Sequence, residues 1–196
     1  EGGLDSGLFG SGESHLLKML ALVLENDEVE GQRAIEIFER KLVGNPMLAG
    51  ALRKAVSIPS RSVLFNIDQK ADVISKTDVD ALLSVFQKVF DEMCGYYGKL
   101  PHIAQFERDL DSRGKRDAFK AAFERSSGKS WELGREQALM ERPHIAAAFL
   151  EVTGDNVTDM LSQYRKDTRV SIEDFANMVK AWIDAQGPKF RLNFFV

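Results

Sequence analysis

Cysteine is nearly absent: Cys94 is the only one in 196 residues. That excludes an intrachain disulfide framework and matches a cytoplasmic or other reducing compartment. With Phe90, Met93 and Tyr97 close by in sequence, the thiol reads as a small core hydrophobe; a nucleophile would need a histidine to activate it, and none is placed nearby. Long apolar runs are missing too. The richest, Leu16 to Leu24, carries Lys18 and falls well short of the ~18 residues that span a bilayer. The acidic, glycine-rich residues before it lack the basic region of a signal peptide. No membrane span is therefore expected. Residue 1 is Glu, not Met, which points to a processed product or a piece of a longer protein.

Histidine is limited to His15, His102 and His144, with no pair at metal-ligand spacing, and no acidic cluster has the layout of a calcium loop. Neither a metal nor a cofactor is implied. Charge of one sign is missing as well. The chain has 26 Lys+Arg against 30 Asp+Glu, a formal charge of -4, so a nucleic-acid partner loses ground for want of a concentrated basic face. The densest basic stretch, Arg108 to Arg125, is interleaved with Glu107, Asp109, Asp111, Asp117 and Glu124 and reads as a solvated helix surface. Gly128-Lys129-Ser130 has the ending of a phosphate loop. Phe123 stands where that motif requires its first glycine, and no apolar strand precedes it, so a helix C-cap followed by an N-cap is the better reading.

What the sequence does have is apolar spacing of three and four, at 44% hydrophobic content, broken by Ser/Thr/Asp/Asn starts and Gly or Pro stops. This predicts an all-α fold, a compact bundle of about ten short helices. Residues 1–13 form a flexible lead-in, 14–187 a single helical domain with a weak possible division at 95–101, and 188–196 a C-terminal tail. Ser14 to Glu25 is apolar nearly all round and belongs in the middle of a core. Glu28 to Val43 is one amphipathic helix, closed by a left-handed Gly44. Asn45 and Pro46 cap and open the next helix, which Ser57-Ile58-Pro59 breaks. Val63 to Phe65 suits a short extended run, and Asn66 to Ser75 a helix. Thr77 to Asp80 resembles a capping box, as does Ser171 to Asp174. Pro101 and Pro143 open helices with the same four residues, Pro-His-Ile-Ala, and Ser130 starts one that runs to Met140. Gly128 and Gly154 are stops.

The candidate site residues follow from this layout. His102 and His144 each occupy the second position of a helix and are candidate ligand or acid/base groups, although a capping or surface role suits them equally. Phe190, Leu192 and Phe194 alternate along the tail and are candidate partner contacts, in competition with packing back on the domain. No catalytic constellation is present. The expected function is a non-catalytic protein-interaction or regulatory module with another protein as partner. One alternative is a helical sensor or carrier for an apolar molecule or haem-like cofactor, with His102 or His144 in contact; a second is an enzyme whose site assembles only in three dimensions.

Overall fold

In a computed structural model, the structure describes residues 11–66, 79–165 and 170–196. The fold is mostly helical. Among the described residues the elements run α1 (Ser11–Glu25), β1 (Glu28–Val29), β2 (Gln32–Arg33), α2 (Ala34–Glu39), α3 (Pro46–Val56), β3 (Ser60–Leu64), α4 (Val79–Met93), α5 (Pro101–Ser112), α6 (Arg116–Ser127), α7 (Trp131–Gly134), a 3-10 turn (Arg135–Gln137), α8 (Arg142–Thr153), α9 (Met160–Arg165), α10 (Ile172–Gln186) and β4 (Arg191–Phe195). The chain groups into two compact units, Glu1–Lys76 with Ala176–Val196, and Thr77–Phe175. Residues 95–101 fall inside the second.

The second unit follows its sequence signals closely. Pro101 is the first residue of α5 and Pro143 the second of α8, within the first turn where a missing N–H costs nothing. Gly128 and Gly154 end α6 and α8 in the left-handed conformation, at φ 72° and 81°. Ile103 and Ile145, the matching residues of the two Pro-His-Ile-Ala starts, both point into one core. Its centre is a set of edge-on rings: Phe106 to Phe119 at 5.1 Å, Phe119 to Trp131 at 5.0 Å and Phe123 to Trp131 at 5.2 Å between centroids. Each such side chain contributes roughly 1.5–3 kcal/mol by leaving water.

The expected helix from Ser130 to Met140 is shorter than its periodicity suggests. It runs as α7, the 3-10 turn and a further turn, and the Ser130 side chain makes no cap hydrogen bond. Gly134 shows what shapes this stretch. A Cβ there would lie 2.3 Å from the Phe123 ring, so only glycine lets the chain pass so close to the core.

The first unit departs further from its sequence. The single helix expected over Glu28 to Val43 is instead a hairpin followed by the six-residue α2. Val29 pairs with Gln32, leaving Glu30-Gly31 as a two-residue loop with φ 53° and 78°. Positive φ at both positions is what a tight hairpin needs, and this local geometry prevails over the helical spacing. Gly44 does not take the left-handed cap, because the helix has already ended at Glu39. Helix α1 begins at Ser11, inside the expected lead-in. It does not sit mid-core: Ala21 and Val23 are buried, while Leu16, Leu20 and Leu22 are exposed.

The Asn45 cap forms as expected, its Oδ1 accepting the Leu48 N–H at 3.1 Å. The extended run near Val63 is strand β3, and the C-terminal tail pairs with it in parallel, from Ser60 with Arg191 to Leu64 with Phe195. Helix α1 clamps that strand. Ser62 N–H donates to Glu25 Oε1 at 2.6 Å, and the Ser60 hydroxyl to the Leu24 carbonyl at 2.8 Å. The expected helix at Asn66 to Ser75, beyond Asn66 itself, and the first residues of the Thr77 capping box lie outside the described residues. Half of the second box forms: Ser171 Oγ accepts the Asp174 N–H at 3.0 Å and opens α10, while the Asp174 carboxylate accepts the Ser171 hydroxyl at 2.7 Å.

Candidate functional site

The polar groups with most potential for chemistry lie in the second unit, around Glu107. Its position on α5 is explained by spacing: Ile103, Phe106 and Leu110 form the buried stripe, and residue 107 falls on the same stripe. The carboxylate is 1% exposed. It accepts the Tyr97 backbone N–H at 2.6 Å, the Trp131 indole N–H at 2.6 Å and an Arg135 guanidinium N–H at 2.8 Å. Glu107 is therefore not part of a solvated helix surface, as its mixed-charge stretch suggested. Three fixed donors and an opposite charge make its burial tolerable.

Two of these partners, Tyr97 and Arg135, also line a shallow cleft of about 250 Å³, whose wall includes Glu92, Tyr96 and Lys99 as well; Glu107 itself does not line it. Arg135 lies over the Tyr97 ring, 5.0 Å from its centroid. The Tyr97 hydroxyl donates to Glu136, and Lys99 Nζ is 3.7 Å from the same carboxylate. Burial first, and then the Glu136 carboxylate, pushes the Tyr97 phenol up to about 12. The cleft's two cations thus already face carboxylates, and its volume falls below the roughly 300–1,000 Å³ of pockets that enclose small molecules.

A second buried carboxylate, Asp91, pairs with Arg108. Burial raises its pKa, and the Arg108 guanidinium partly offsets that rise. Cys94 follows a few residues later. Burial and the Asp91 charge push its thiol up to about 12, so it stays protonated and unreactive at neutral pH. Among the described residues, no group of three or more His, Cys, Asp and Glu side chains is arranged to hold a metal ion. Nor is any described helix long and apolar enough to cross a membrane.

The two histidine candidates each follow a first-turn proline, His102 as the second residue of α5 and His144 as the third of α8 rather than the second, and they meet different surroundings. His102 is buried at the start of α5, and its Nε2 has no hydrogen-bond partner among the described residues. Burial, then the Arg165 charge, lowers its pKa below the ordinary imidazole value. His144 is half-buried on α8, with Nδ1 2.9 Å from the Ser126 hydroxyl. No hydrogen bond joins the two.

The tail candidates lie in the first unit, all half-buried. Phe190 meets the Trp182 ring edge-on at 5.6 Å, Leu192 pairs with Arg61 across the strands, and Phe194 meets Phe65 edge-on at 6.4 Å.

Residue spacing held a signal for Glu107, which shares a stripe with Ile103, Phe106 and Leu110. It held none for Arg135 or Trp131 as its partners, since they stand 28 and 24 residues away. The sequence matches no protein-family model, and the fold matches no solved structure.

Proposed function

We propose that the chain is a non-catalytic interaction or regulatory module whose partner is another protein. The observation that carries this reading is the segment from Trp131 to Glu141. Its inward positions, Trp131, Gly134, Ala138 and Glu141, are buried. Its outward positions include three large apolar side chains: Leu133 at 66% exposure, Leu139 at 56% and Met140 at 80%. Large exposed apolar side chains on a well-anchored segment are a feature of protein contact surfaces. Meanwhile two of the buried carboxylates, Glu107 and Asp91, are engaged in bracing. Glu107 is held by three donors and Asp91 by Arg108. The rings that would line an apolar cavity pack against one another.

The test compares proteins that co-purify with the wild-type chain and with a Leu133→Asp, Met140→Asp double variant. Both side chains face solvent, so the variant is expected to keep its thermal midpoint and lose specific partners. A folded variant that retains every wild-type partner would overturn the reading.

A further inference from the structure

Between Glu39 and Asp68 the sequence holds no acidic residue and five basic ones, Arg40, Lys41, Arg53, Lys54 and Arg61, in a chain whose formal charge is -4. In the first unit this stretch forms the turn after Ala34–Glu39, the helix Pro46–Val56 and the strand Ser60–Leu64. The turn is firmly held. Lys41 N–H donates to the Phe38 carbonyl at 2.9 Å, Asn45 N–H to that of Leu42 at 2.8 Å, and Asn45 caps the helix that follows. Even so, Val43 and Met47 are 85% and 83% exposed, and Leu48 is exposed beside them.

Two of the five cations already face carboxylates, Arg53 with Glu39 and Arg61 at 3.7 Å from Glu25. Arg40 donates to the neutral Gln32 amide oxygen at 3.2 Å and makes no ion pair among the described residues. Lys41 and Lys54 make no ion pair among the described residues. The tip therefore carries exposed apolar side chains and positive charge, with no negative charge of its own.

We propose that Arg40–Leu48 is a peripheral docking tip for an anionic lipid surface. Val43, Met47 and Leu48 enter the boundary between headgroups and acyl chains, and Arg40 and Lys41 meet the lipid phosphates and carboxylates. Charge complementarity selects this occupant over a neutral bilayer. A nucleic acid would use the cations but leave the apolar tip in water, and residues 40–56 contain no aromatic ring on which a base would stack. The proposal is independent of the reading of Trp131–Glu141.

The experiment is co-sedimentation of the full chain with phosphatidylcholine vesicles, with and without phosphatidylserine, and a parallel titration with a DNA duplex. The wild type is expected to bind only the phosphatidylserine vesicles, and to be released by added salt. Lys41→Glu and Met47→Asp are each expected to lower the partition coefficient roughly tenfold, with thermal midpoints unchanged. The Leu133→Asp, Met140→Asp variant is expected to bind vesicles as the wild type does, so the two readings fail separately. Three results would overturn the proposal: no binding to phosphatidylserine vesicles, binding that survives Met47→Asp, or tighter binding to the duplex than to vesicles.

Discussion

The two units are held together by different means. The second buries Trp131, Phe90, Phe106, Phe119, Phe123 and Phe149 almost completely, around a carboxylate with three donors. The described part of the first fully buries only Ala21, Val23 and Ala49 among its apolar residues. It relies instead on half-buried side chains, on the clamp of Glu25 and Leu24 on the strand Ser60–Leu64, and on the pairing of that strand with Arg191–Phe195. A dense core makes a unit sensitive to any change of volume, whereas a thin one makes it sensitive to loss of a whole element.

The comparison is tested most severely inside the second core. Trp131→Ala is expected to destabilise the protein by about 3–5 kcal/mol, through lost burial and the cavity left behind. Glu107→Ala is expected to cost a similar ~3–5 kcal/mol, because the buried Trp131 indole N–H loses its acceptor and the half-buried Arg135 its counter-charge. Both are read from the denaturant midpoint. If either variant shifted it no more than a surface substitution does, the picture of a tightly braced core would fail.

Deleting residues 189–196 addresses the first unit. It removes four half-buried apolar side chains, Phe190, Leu192, Phe194 and Phe195, and a strand, an expected loss of about 3 kcal/mol. Amide exchange is expected to accelerate in Ser60–Leu64 while Pro101–Ser112 stays protected. Unchanged protection of Ser60–Leu64 would instead favour the tail as a partner-binding arm.

Gly134→Ala drives a methyl group against Phe123 and is expected to cost roughly 1–3 kcal/mol, seen as a lower thermal midpoint.

Acid should also separate the units. His102 has a folded-state pKa below its ordinary 6.5, so the unfolded chain takes up the proton first. Its contribution to stability is complete above about pH 6.5 and falls as the pH drops from there towards the folded-state value. His102→Asn is expected to flatten that part of the second unit's stability profile. The smallest effect belongs to the first unit's surface: Val43→Lys is expected to change stability by less than about 0.5 kcal/mol.

Local signals read well wherever one residue decides one turn. Asn45 with Pro46, Pro101, Pro143, Gly128, Gly154 and Ser171 all mark helix ends in the structure. The acid-free run from Arg40 to Arg61 is equally plain in the sequence, but the balanced charge of the whole chain conceals it. For the candidate site less was legible. His102 and His144 share a sequence context, yet one is buried beside Arg165 and the other rests on Ser126. Their Pro-His-Ile-Ala starts could not show this, because the difference lies in which helix packs against each.

The sequence by itself determined a mostly helical chain and many of its helix ends, because capping and periodicity are settled within a few residues of the backbone. Only the tertiary structure decided that Glu107 is buried beneath Trp131 and Arg135, and that the tail becomes a strand beside Ser60–Leu64. Each of those choices is made between residues far apart in the chain. A carboxylate is stable in a core only when distant donors converge on it, and a strand forms only when another edge supplies its hydrogen bonds.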